Sequence, residues 1–177
     1  MAAQLVVAFL AAPAAATPTS GPADVEPQIK AEFLERFTHF IDWPQGGDAG
    51  PFVIAVVGPN PFGGALDRLA RDRTIKGRRV VVRYLAGPAE VGGQHVLFIT
   101  RELRGALKEI LARTRDRPVL TVGDTDGFAR AGVLINFYLE RGAVRFEINA
   151  GEAKRSGLRV SPKLLRLGRI VTTEDRR

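Results

Sequence analysis

The residues able to do chemistry are few and scattered. Asp124 and Asp126 stand one residue apart in GDTDGF, directly after an apolar run. Two carboxylates so placed suit Mg²⁺ or Ca²⁺, but an EF-hand loop needs more oxygen ligands in register. Asp before Gly is also the ordinary make-up of a tight turn. His39 and His95 are the only histidines, and neither falls in HExxH or a similar ligand spacing. The chain has no cysteine, which excludes disulfides, thiolate nucleophiles and Cys-based zinc sites together. No GxSxG elbow is present. No metal, cofactor or catalytic group is therefore expected, and an enzyme would need Asp124, Asp126 and His95 to converge in a cleft.

One loop has the placement of an anion site. VVGPNPFGGAL, from Val56 to Leu66, follows an apolar run and opens a helical pattern. Free backbone N–H groups and the helix dipole favour anions at such a junction, which makes Asn60, Gly63 and Gly64 the candidates. The loop lacks the GK[ST] ending of a P-loop and the GxGxxG spacing of a dinucleotide site. Asn60-Pro61 is equally a routine helix start, so a structural turn stands beside the anion-binding reading.

These residues must be positioned by alternating strands and helices. The segment 27–43 reads as a helix that opens at Pro27 and stops before Pro44, with Ile29, Phe33, Phe37, Phe40 and Ile41 on one apolar face. Phe52–Val57 is a continuous apolar run, as in a strand buried on both faces. Arg78–Leu85, His95–Thr100 and Pro118–Asp124 read as further strands. Between the last two, Leu103, Leu107, Ile110 and Leu111 share a helical face. GVLINFYLERGAVRFEIN reads as a hairpin turning near Glu140-Arg141-Gly142. Val133, Ile135, Phe137 and Leu139 share one face of it, and Val144, Phe146 and Ile148 another. SPKLLRLGRIV closes with a short helix, Ser161 as N-cap and Pro162 in the first turn. The pattern predicts a single-domain α/β fold: a mixed, mostly parallel sheet with a C-terminal antiparallel hairpin, flanked by helices.

Composition sets the setting. The chain has 177 residues, 45% hydrophobic and 25% charged, enough for one domain with a proper core. Its net charge of +7 is uneven: residues 141–177 hold ten Lys or Arg against four Asp or Glu. Such asymmetry suits an anionic partner, yet Arg outnumbers Lys 21 to 5, as a genome-wide codon bias would produce. At the start, the apolar run Leu5–Ala12 is shorter than the ~20 residues of a membrane span, and Ala14 and Ala16 give a small-x-small pattern. This reads as a secretory signal over residues 1–16. No Lys or Arg precedes the run, as expected if translation starts upstream of Met1. Residues 17–26 then read as a flexible leader, 27–171 as the domain and 172–177 as a tail, in a periplasmic protein. An exported chain with Phe146 on an apolar strand face is not expected to bind nucleic acid.

Six blocks in order carry a resemblance: IKAEFLERFTHFIDWP, VVGPNPFG, HVLFIT, VLTVGDTDGFARAGVLINF, RFEIN and KLLRLGRIV. Together, over residues 28–171, they resemble the YfiR-like family of small bacterial periplasmic proteins. The resemblance implies a non-enzymatic repressor that binds the periplasmic sensor region of an inner-membrane diguanylate cyclase and so lowers cyclic-di-GMP and biofilm growth. It further implies an outer-membrane lipoprotein that sequesters the repressor, and a homodimer. Some members carry cysteine pairs linked to redox control, and this chain has none, so oxidative switching does not transfer. In RFEIN, alternation places Phe146 inward and Arg145, Glu147 and Asn149 away from the core. With Lys163, Arg166 and Leu167 of the last helix they are the expected partner-binding residues, Glu147 foremost. Core closure by Leu164, Leu165 and Ile170 is the competing reading. A periplasmic small-ligand sensor without cyclase control is the alternative function.

Overall fold

A computed structural model describes residues 22–44 and 50–173. The expected signal segment 1–16 lies outside the described residues. The elements run α1 (Pro22–His39), β1 (Ile41–Asp42), β2 (Phe52–Val57), α2 (Ala65–Asp72), β3 (Thr74–Ile75), β4 (Arg78–Leu85) and β5 (Val96–Ile99). A 3-10 segment at Arg101–Ala106 leads into α3 (Leu107–Thr114), followed by β6 (Leu120–Gly123), β7 (Ile135–Glu140) and β8 (Ala143–Asn149). The chain ends with α4 (Ala150–Arg155), β9 (Arg159–Val160), α5 (Pro162–Leu167) and β10 (Arg169–Val171).

An eight-stranded sheet in the order β10-β8-β7-β6-β5-β2-β4-β3 forms the centre, and β1 pairs separately with β9. β4, β2, β5, β6 and β7 are mutually parallel, whereas β7–β8 and β3–β4 are antiparallel. The expected α/β architecture is present. Its strands β2 and β5 are apolar at every position because both faces are covered. Ile54, Val56, Val96, Phe98 and Val122 meet Ala31, Leu34 and Phe37 of α1 and Leu66 and Leu69 of α2. On the other face Ala55, Val57, Leu97 and Ile99 meet Leu107 and Ile110 of α3 and Phe128.

The first helix departs from expectation. It starts at Pro22, so residues 22–26 are helical and Pro27 lies inside the helix. Pro27 sits near the N-terminus and forfeits a single backbone bond there. Lys30 compensates, reaching both Glu26 and Asp124 at 2.7 Å and pinning the N-terminal half of α1 to the end of β6. The inward face is Ala31, Leu34 and Phe37, while Ile29 is exposed and Ile41 belongs to β1. Farther along, Phe33 and Phe37 meet Phe137 of β7 and Phe146 of β8 with centroids 5.0–5.9 Å apart. Edge-to-face and offset contacts of this kind add to area burial, and they fix the hairpin beneath α1. Of the residues expected on one hairpin face, Val133 instead joins the α3-side core and Leu139 is exposed.

Arg141 and Gly142 form the hairpin turn, both with positive φ (51° and 77°), as a two-residue type I′ connection requires. Gly142→Ala should destabilise the fold by ~1 kcal/mol through backbone strain alone. A shift of the urea midpoint without a change in slope would show it.

Candidate partner-binding surface

Side chains of the terminal three strands sort by parity. Asn136 and Tyr138 of β7, Arg145, Glu147 and Asn149 of β8, and Arg169 of β10 share one face by the observed register. Ile135, Phe137, Leu139, Val144, Phe146, Ile148 and Ile170 share the other. The expected alternation is therefore present, but its consequence differs. Glu147 is only 4% exposed and Asn149 is fully buried. Neither points to solvent, because later parts of the chain cover this face.

Glu147 and Asn149 each have defined partners. Glu147 accepts from Arg169 at 2.8 Å and from Asn136 at 3.4 Å. The Arg169 guanidinium also lies 4.3 Å from the Tyr138 ring centroid. Its hydrogen bond to Glu147 raises an already high pKa further, so it stays charged throughout. Asn149 caps α4, accepting from the Glu152 N–H at 3.1 Å. Its amide donates to Ala129 O at 2.7 Å and Thr173 Oγ1 at 2.8 Å. Glu147 and Asn149 are thus buried and bonded within the chain, not open to solvent as expected.

The remaining candidates are exposed. Arg145 lies open beside Glu140 at 3.9 Å. Lys163 and Arg166 are exposed on α5, and Leu167 is 70% exposed. β10 runs parallel to β8 with Arg169 beside Glu147. Gly168 sits so close to Phe146 that a Cβ there would lie 2.7 Å from its ring. Leu164 is buried as the competing reading expected, while Ile170 is 50% exposed. The exposed candidates are thus Arg145 on one face of the sheet, Ile170 on the other, and Lys163, Arg166 and Leu167 on α5. Sequence reasoning missed Arg169 and Tyr138, since nothing local marks a guanidinium that pairs with a carboxylate 22 residues earlier.

The other candidates resolve into structural roles. Asn60 closes on its own loop, accepting from Phe62 N–H and donating to Gly63 O, both at 2.8 Å. The first turn of α2 already holds a carboxylate, Asp67, which accepts from Tyr84 Oη at 2.7 Å. Asn60, Gly63 and Gly64 are accordingly a helix-start turn. Asp124 is engaged by Lys30, and the backbone of Asp126 accepts from Arg104 at 3.1 Å. His95 opens β5, whereas Asp124 follows the end of β6. With β5 and β6 parallel neighbours, they lie at opposite ends of the strands and do not converge. Among the described residues no acidic or histidine cluster fit to hold a metal occurs.

The chain belongs to the YfiR/HmsC-like family, whose model matches residues 27–169. That family consists of regulators. Two solved structures share the fold. An ABC domain from Streptococcus pneumonia, crystallised with L-Trp, superposes with a TM-score of 0.56 at 8% identity over 82% of this chain and 60% of that one. A conserved domain protein from Vibrio cholerae gives 0.53 at 10% identity over 81% and 59%. This chain spans about three-fifths of each, and the likeness is one of architecture. No curated protein matches the sequence significantly. Among the described residues no helix is long and apolar enough to cross a membrane.

Glu147→Lys should destabilise the fold by ~2–4 kcal/mol, because it sets a second cation against Arg169 in a buried position. Chemical denaturation would show the loss. A second expectation concerns alkaline pH. Burial and the bond to Asp67 push the Tyr84 hydroxyl above its ordinary pKa. Burial alone would lower the Lys30 ammonium, but its bonds to Asp124 and Glu26 prevail and raise it. Both folded values exceed the unfolded ones, so both contributions are complete below about pH 10 and fade as pH rises further. The melting temperature should hold steady from about pH 7 to 9 and fall above about pH 10, less steeply in Tyr84→Phe.

Proposed function

We propose that this chain is an exported regulatory binding protein. It restrains an inner-membrane diguanylate cyclase by docking on the cyclase's periplasmic sensor region, and an outer-membrane lipoprotein releases the restraint by sequestering it. The observation that carries this reading is the family match across residues 27–169. The exposed Lys163, Arg166 and Leu167 of α5 support it, since charged rims around apolar anchors suit reversible protein contacts. Restraint requires tighter binding to the inactive sensor than to the active one, because only differential affinity shifts an equilibrium. A coupling of about 1–3 kcal/mol gives a 5–150-fold effect.

The test is crosslinking from cell envelopes with the tagged chain as bait and mass spectrometry as readout. Recovery of a membrane protein carrying a diguanylate cyclase domain, crosslinked near Arg145, Lys163 or Leu167, is the expected result. Recovery of cytoplasmic proteins alone would sink the proposal. Leu167→Glu with Arg166→Glu should raise cellular cyclic-di-GMP while leaving the melting temperature within about 2 °C, as exposed substitutions do.

A further inference from the structure

The sheet ends differently on its two sides. At one end β10 is a three-residue strand entered directly from α5. At the other, β3 pairs only with Arg78 and Arg79 of β4. From Val80 to Leu85, β4 is bonded to β2 on one side and has no strand on its other side among the described residues. This stretch, VVVRYL, has strong β-propensity and contains no proline. Its outward N–H and C=O groups form a template for an added strand.

Side chains on the two faces define what fits. Val80, Val82 and Tyr84 share the face that carries α2, and Tyr84 is 42% exposed with its hydroxyl tied to Asp67. Arg79, Val81 and Arg83 share the other face, and both arginines are exposed. Arg83 donates to Gly92 O at 2.9 Å, which holds the guanidinium beside the strand. A second copy of β4 laid alongside with odd positions opposite odd would bring four arginines onto one face, and facing like charges destabilise a strand pair. Carboxylates at those positions reverse the sign of the interaction.

We propose that β4 from Val80 to Leu85 is a strand-addition site for an extended acidic segment of a partner polypeptide. A carboxylate opposite Val81 lies diagonal to Arg79, whose own edge is taken by β3, a second lies beside Arg83, and β-branched or aromatic residues between them lie beside Val82 and Tyr84. The site is separate from the C-terminal surface and does not depend on the cyclase reading.

The probe is a synthetic peptide of about nine residues alternating valine and glutamate, long enough to cover the open stretch. It is titrated into the isotope-labelled chain and followed by amide NMR. Shifts and slowed exchange concentrated at Val80–Leu85 are expected. Arg79→Glu with Arg83→Glu should weaken the peptide roughly five- to tenfold and admit a valine–lysine peptide instead. Three results would overturn the proposal: no change at these amides, shifts centred on Lys163 and Arg166, or protection of the same amides by self-association without peptide.

Discussion

The buried carboxylate of Glu147 is the constraint around which the C-terminal third is arranged. An ionised group 4% exposed needs a partner. The chain supplies Arg169 only after leaving the sheet through α4, crossing to pair β9 with β1, and returning through α5. The guanidinium closes the charge at 2.8 Å and lies against Tyr138. β10 is short for an edge strand, and its place beside β8 rests on this side-chain bond as well as on three residues of pairing. Pairing of this kind fixes register more than it adds stability, because desolvation offsets much of the Coulomb gain.

That register ties the neighbouring segment to the core. With Arg169 beside Glu147, Gly168 is pressed onto the Phe146 ring. Phe146 is in turn gripped by Phe33 and Phe37 of α1, and α1 is pinned at its other half by Lys30 and Asp124. The exposed residues thus stand on a chain of contacts running through the whole α1 side of the core. A surface with little internal freedom loses little entropy on docking.

The architecture was legible where periodicity and turn chemistry agree. The apolar run Phe52–Val57, the helical spacing through Ile110 and the Arg141-Gly142 turn all appear as their patterns imply. The misses have physical causes. Alternation shows which face Glu147 and Asn149 occupy but not whether that face is covered, and covering is decided by residues such as Arg169 and Thr173. β1, β3, β9 and β10 are two or three residues long and have no readable period. α4 reads as a polar linker because its helix rests on the Asn149 cap and buries only Ala153. Asn60, Gly63 and Gly64 were legible as a turn and indistinguishable from an anion loop until Asp67 was seen in the first turn of α2.

The charge distribution acquires a meaning that composition could not give it. Part of the C-terminal excess is internal: Arg169 serves Glu147, and Arg155 pairs with Glu152 while bonding Thr173. The other exposed cations are spread over the hairpin turn, β8, α4, β9 and α5, as Arg141, Arg145, Lys154, Arg159, Lys163 and Arg166, with Leu167 exposed beside the last. Solvent-exposed cations act over roughly 8–10 Å in physiological salt, so such a set speeds and orients encounter more than it holds a complex together. In the proposed docking, the charges would set how fast the regulator arrives and the exposed apolar residues how long it stays.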